Sequence, residues 1–169
     1  LSGRRISELI GYARATADTT VKQLEHSVPA AVRDQKLQND IEAARGEIID
    51  RRVKLKLAES EVRRLEDEVS LLSDAVGRRE LILAEAYPAL ETASADRMSE
   101  VSFAGTKWQP VELGGEIDRL LLEQDRDERQ LKIRKEALDR VVKSIDEGKS
   151  AMTEMSSRLL EAENEFQTL

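Results

Sequence analysis

IEAARGEIIDRRVKLKLAESEVRRLEDEVSLLSDAVGRRELILAEAYPAL, residues 41–90, repeats every seven residues. Ile41, Ile48, Leu55, Val62, Val69, Val76, Leu83 and Leu90 form one series without exception. A second series, three places on, is mostly apolar: Ala44, Arg51, Ala58, Leu65, Leu72, Arg79 and Ala86. Paired positions spaced three and four apart, repeating in sevens, are the a and d sites of a coiled coil. Arg51 and Arg79 interrupt the d series; a cation there needs either a carboxylate or a route to water along its stem.

Outward from this stretch the helix extends back to Pro29. A proline is tolerated in the first turn of a helix, and it biases the residue before it away from helical angles. Ser27-Val28-Pro29 therefore marks a break. Between Pro29 and Tyr87 the only glycines are Gly46 and Gly77, and a helix of that length would measure roughly 90 Å. Tyr87-Pro88 is expected to bend or end it, with a short helix permitted to about Ala95.

Downstream, the period changes over Val101–Pro110. Val101, Phe103 and Trp108 are strand-favouring types in alternation, and Ala104-Gly105 suits a turn. A small β-hairpin is expected there, anchored on its own helices because an isolated two-stranded ribbon is marginal in water. Pro110 then suits the start of a helix. The heptad returns with Ile117, Gln124, Leu131, Leu138, Ile145, Met152, Leu159 and Phe166, and with Leu120, Asp127, Arg134, Val141, Gly148, Met155, Ala162 and Leu169 at the offset positions.

Two seams of similar length joined by a short connection predict an antiparallel helical hairpin. One register sets Leu90 against Leu120, Leu72 against Leu138, Val62 against Gly148 and Leu55 against Met155, with Arg79 within a turn of Asp127. The polar layers Arg79, Gln124, Asp127 and Arg134 predict a weak seam near the tip that recruits a further partner or water. Ile49, Val53, Leu57, Leu71, Leu81, Ile82, Leu121, Leu122, Ile133 and Val142 fall outside the a and d sites, a wider apolar face than two helices need. Either the first segment or other subunits would cover it.

That first segment, residues 1–28, places Ile6, Leu9, Ile10, Ala13, Ala17, Val21, Leu24 and Val28 on one face of an amphipathic helix. Its polar face is only slightly basic, which favours packing on a partner helix over contact with lipid. The expected fold is all-α: an elongated antiparallel coiled-coil hairpin with an N-terminal amphipathic helix and a small β-hairpin or loop at the tip. Its parts are residues 1–28, a first arm 29–90, a tip 91–110 and a returning arm 111–169.

Composition agrees with a long charged helix. Charged residues make up 36% of the 169 and aromatics 3%, far from the mix of a compact core. The net charge of −7 opposes phosphate, so no nucleic-acid partner is expected. Without cysteine there is no thiolate metal site, and His26, the single histidine, has no second ligand at metal spacing. No catalytic residue, cofactor or metal site is expected. The acidic residues alternate with Lys and Arg as a solvated surface does. Phe103, Gly105 and Trp108 are the candidate tip and assembly contacts. The candidate seam is Ile41, Ile48, Leu55, Val62, Val69, Val76, Leu83, Leu131, Leu138, Ile145, Met152 and Leu159. The chain opens at Leu1 and not at Met, as a processed or partial product would, with any anchor upstream.

Gly3-Arg4-Arg5, Ser27-Val28-Pro29 and Phe103-Ala104-Gly105-Thr106-Lys107-Trp108 give the chain a layout that resembles a group of coiled-coil proteins common in planctomycete bacteria. In these a membrane segment precedes a short helix, a Val-Pro break, a long helix, an Ala-Gly-x-x-aromatic hairpin and a returning helix. More distantly, a helical hairpin behind an amphipathic helix resembles the phage-shock/Vipp proteins of the ESCRT-III superfamily, which polymerise into membrane-remodelling rods and rings. The continuous seam, the surplus apolar stripe and the missing start lead to the expectation of a structural, self-assembling protein of a bacterial envelope or extracellular filament, with copies of itself as partners. The second resemblance implies a peripheral membrane-remodelling or adaptor protein, contacting the membrane through residues 1–28.

Overall fold

A computed structural model of the chain describes residues 29–168. The amphipathic helix expected over residues 1–28 lies outside the described residues. In chain order the elements are α1 (Ala30–Ala95), β1 (Val101–Phe103), β2 (Thr106–Trp108) and α2 (Pro110–Gln167). Two long helices are thus packed together, with a small antiparallel sheet in the connection between them. The chain divides into two compact units. One holds residues 29–58 and 144–168, the other Glu59–Lys143.

α1 starts where the Val-Pro break predicts. The Pro29 carbonyl accepts from the Val32 and Arg33 N–H groups at 3.0 and 3.2 Å, so Pro29 occupies the capping position without needing an N–H of its own. At the other end the helix does not stop at Pro88. It runs through it to Ala95, the point to which the sequence permits a short helix. Proline lacks the N–H that would reach the carbonyl of Ala84. Both residues are exposed, which leaves the freed acceptor on the solvent side, while Leu83, Ala86 and Ala93 belong to the buried cluster and Leu90 packs against it. α2 likewise stays helical through Gly114-Gly115, where the pair of glycines predicts a weak first turn. Leu90 covers the site, its Cδ2 lying 3.9 Å from where a side chain on Gly114 would begin.

In the first unit Ile41, Ile48 and Ile145 are buried, with Ala44, Leu55, Ala58, Met152, Met155, Leu159 and Ala162 half-buried around them. Gly148 lies against Leu55, at 3.0 Å between the Leu55 Cδ2 and the point a Gly148 Cβ would occupy. Sequence set Val62 at this place and Met155 opposite Leu55, so the register is displaced by one heptad. The second unit has the same displacement: Leu90 lies on Gly114 and not on Leu120, and Arg79 reaches Gln124. The cause is in the pattern itself. A seven-residue repeat is unchanged by a seven-residue slip, and the choice falls to the connection, whose compact packing brings the helices together sooner than the sequence register allows.

The largest buried cluster belongs to the second unit. Leu83, Ala86, Ala93, Leu113, Ile117 and Leu120 of the helices enclose Val101 and Phe103 of β1, and Trp108 of β2 packs against them. The hairpin is held by its neighbours, as a three-residue ribbon must be.

Candidate functional site

The tip is built from three local devices. α1 ends in a Schellman arrangement, the Met98 N–H donating to the Ala93 carbonyl at 2.9 Å, with Arg97 between them in the left-handed region at φ 51°. β1 and β2 then pair Val101 with Trp108, Ser102 with Lys107 and Phe103 with Thr106. Ala104 and Gly105 join them with φ of 52° and 74°, two successive positive values that suit the right-handed twist of a hairpin. α2 opens on a capping pair: the Leu113 N–H donates to the Gln109 carbonyl at 2.9 Å, and the Glu112 carboxylate accepts from the Gln109 N–H at 3.3 Å. Pro110 takes the first helical position, where no N–H is missed.

This geometry places Phe103, Gly105 and Trp108 in different surroundings. Phe103 is buried in the cluster. Trp108 is half-buried, its indole Nε1–H donating to the Phe103 carbonyl at 3.3 Å. Gly105 is at the exposed turn with nothing within 4 Å of its missing side chain. The two aromatics are spent on anchoring the hairpin, and the outer tip offers Ser102, Thr106 and Lys107, with Lys107 and Glu100 only 3.7 Å apart.

Further along the second unit lies a buried polar layer. Arg79 donates to Gln124 Oε1 at 3.2 Å and to Asp127 Oδ2 at 3.0 Å, with the Glu123 carboxylate at 3.7 Å. Gln124 in turn donates to Glu128 at 2.9 Å, and Arg126 Nε donates to the second Asp127 oxygen at 3.1 Å. Burial pushes the Asp127 carboxyl up, but hydrogen bonds from Arg126 and Arg79 and their charges outweigh it and hold the group below its ordinary value. Arg79, Gln124 and Asp127 are among the polar groups that the sequence sets near the tip, and within the layer they are joined by hydrogen bonds. Arg134, also in the seam, is 2.9 Å from Glu68 Oε2. In the first unit Arg51 meets its own helix's Glu47 at 2.9 Å.

All twelve seam candidates are buried or half-buried. Ile41, Ile48, Leu55, Met152, Leu159 and Ile145 belong to the first unit; Val62, Val69, Val76, Leu83, Leu131 and Leu138 belong to the second. Outside the seam, all ten surplus apolar positions read from the sequence are exposed. In the first unit Ile49, Val53 and Leu57 make a row on α1, 54–67% exposed, and Leu160 of α2 is also open. In the second, Leu71 and Leu81 of α1 are each 70% exposed and Leu122 of α2 is 74% exposed.

The first unit also carries a groove of about 340 Å³ floored by Leu55, Ala58, Ile145 and Gly148 and rimmed by Glu47, Asp50, Arg51 and Lys54. Among the described residues no group of acidic or histidine side chains is arranged to hold a metal, and no helix is long and apolar enough to cross a membrane. In comparisons with known proteins, no family model, curated protein or solved structure matches the chain.

Proposed function

We propose that the chain is a structural, self-assembling coiled-coil protein of a bacterial envelope or extracellular filament. The observation that carries this reading is apolar surface in excess of a seam that is already filled. Within the second unit Leu71, Leu81 and Leu122 stay open to water although every seam position is covered. Fully burying one leucine is worth about 1.5–3 kcal/mol, so a few such side chains per contact favour association of copies. The reading assigns the protein no catalytic role, cofactor or nucleic-acid partner.

Sedimentation velocity and negative-stain imaging across a hundredfold range of concentration test it. Growth into regular rods, rings or filaments is the expected result, and a monodisperse monomer at the highest concentration ends the proposal. A second reading, a peripheral membrane-remodelling or adaptor protein of ESCRT-III-like type, rests on the apolar stripe from Ile6 to Val28 in the sequence. Flotation with anionic liposomes, with and without residues 1–28, decides it. Binding that disappears with the deletion supports lipid contact; a chain that never floats sinks it.

A further inference from the structure

Each helix of the second unit carries another stripe besides the buried one that joins the hairpin. Asp74, Arg78, Leu81 and Glu85 of α1 recur at steps of four, three and four. Arg129, Ile133, Glu136 and Arg140 of α2 recur at the same steps, and all eight side chains are exposed. Residues so spaced line one face of a helix. Among the described residues Asp74, Arg78, Glu85, Glu136 and Arg140 have no ion-pair partner, and Arg129 has only Asp125 of its own helix, at 2.8 Å on the surface.

Laid antiparallel, the two stripes match layer by layer. Glu85 falls opposite Arg129, Leu81 opposite Ile133, Arg78 opposite Glu136 and Asp74 opposite Arg140. Three layers join opposite charges, and the remaining one joins two aliphatic side chains that are 70% and 49% exposed. One layer further, Leu71 would lie along the aliphatic stem of Lys143. A parallel alignment instead sets Arg78 against Ile133 and Leu81 against Glu136, so two layers of four place a charge on apolar surface. Neither stripe suits its own kind. Asp67 extends the acidic stripe, while Lys132 and Lys143 flank the basic one, and α1 set antiparallel on α1 matches Leu71 with Leu81 but brings Asp67 against Glu85. Opposite signs thus favour α1 on α2. Within one chain the two stripes cannot meet, because these helices are already packed through their buried faces.

We propose that the α1 stripe of one copy binds the α2 stripe of a second copy. This contact rests on association of copies as the chain's function and names the surface that carries it. Because the two stripes differ, the contact is heterologous: every added copy leaves one stripe of each kind open at the ends, and growth continues until a ring closes or a filament forms.

Charge reversal in the full chain tests it. D74R/E85R makes both stripes basic, and R129E/R140E makes both acidic. In sedimentation velocity each variant alone is expected to need at least tenfold more protein than the native chain to assemble. An equimolar mixture of the two is expected to assemble at the native concentration, because each then finds the opposite stripe, with matching circular dichroism throughout. If only D74R/E85R loses assembly, α1 packs on α1 and the inference is overturned. Variants that both assemble like the native chain, or a mixture that stays dissociated, overturn it too while leaving self-assembly intact. A native chain that is monomeric at every concentration removes self-assembly and this contact with it. Cysteine pairing reads the contact without altering charge, since the chain has no cysteine of its own. Under mild oxidation L81C mixed with I133C is expected to form the mixed disulfide at least tenfold faster than either variant bonds to itself. A mixed bond no faster than the symmetric ones overturns the inference.

Discussion

Arg97 and Ala104 hold left-handed backbone angles, φ 51° and 52°, without being glycine. An L side chain in that region costs roughly 1–2 kcal/mol, because its Cβ crowds the following carbonyl. At Arg97 the angle is required by the helix stop that sends Met98 back to Ala93; at Ala104 it is required by the hairpin turn. Arg97→Gly and Ala104→Gly keep both devices and remove the crowding, so each is expected to stabilise the chain by about 1 kcal/mol, with glycine's greater freedom when unfolded taking part of the gain. The reverse change, Gly105→Ala at φ 74°, is expected to destabilise by about 1 kcal/mol. Thermal unfolding resolves these effects, since 1 kcal/mol moves the midpoint by roughly 2–4 °C in a chain of this size. A midpoint lowered by Arg97→Gly would show that the guanidinium contributes more than the backbone angle costs.

At the scale of whole helices, Pro88 and the Arg79 layer are where local rules and packing compete. Proline within a helix is worse than alanine by roughly 3 kcal/mol. Because Pro88 and the acceptor it orphans are both exposed, Pro88→Ala restores a hydrogen bond without touching the cluster beneath. We expect a gain of about 1–3 kcal/mol in urea unfolding with an unchanged slope; no gain would mean that the helix is bent to suit the proline. The Arg79 layer behaves differently. Arg79→Met leaves Asp127 buried with only Arg126 in support, and is expected to cost about 2 kcal/mol, whereas Arg79→Met with Asp127→Met should recover to within about 1 kcal/mol of the native chain. The Asp127 carboxyl is depressed in the folded state, so its contribution is complete above the unfolded value of about 3.9 and is lost as pH falls through the folded one. Stability measured from pH 7 down to pH 3 should fall below about pH 4 in the native chain, and the slope should be shallower in Arg79→Met.

The same layer shows what a heptad can and cannot disclose. The identity of the seam was legible from spacing alone, because burial of one stripe per helix leaves its period in the sequence, and the hairpin was legible from a switch to alternation around Ala104-Gly105. The approach of Arg79 to Asp127 was also legible. The register was not. Leu55 faces aliphatic or small residues whether it meets Met155 or Gly148, and a slip of seven exchanges one acceptable layer for another. The information that selects between them sits in the connection: the helix stop at Arg97, the turn, the Gln109–Glu112 cap, and the continuation of α1 through Pro88. The first three are local devices of fixed spacing, but how closely they draw the helices together is set by the packing of Val101 and Phe103 against Leu83, Leu113 and Ile117, which no repeat announces.

Across the molecule, the division between side chains that hold the fold and side chains left for other contacts can be tested by charge. Leu83 is buried in the cluster, and Leu83→Ala should cost about 2–5 kcal/mol by opening a cavity. Leu71, Leu81 and Leu122 touch water over most of their surface, so Leu71→Glu, Leu81→Glu and Leu122→Glu together should leave the unfolding midpoint close to native, each change falling within about 0.5 kcal/mol. If copies associate through these faces, the triple variant also places three carboxylates where apolar surface would be buried. Each would have to lose its water without a partner, at a cost of several kcal/mol. Sedimentation should then show the variant as a smaller species than the native chain at equal concentration, with matching circular dichroism. A variant that assembles as the native chain does would move the contact away from these leucines, and one that unfolds would show that they support the fold itself.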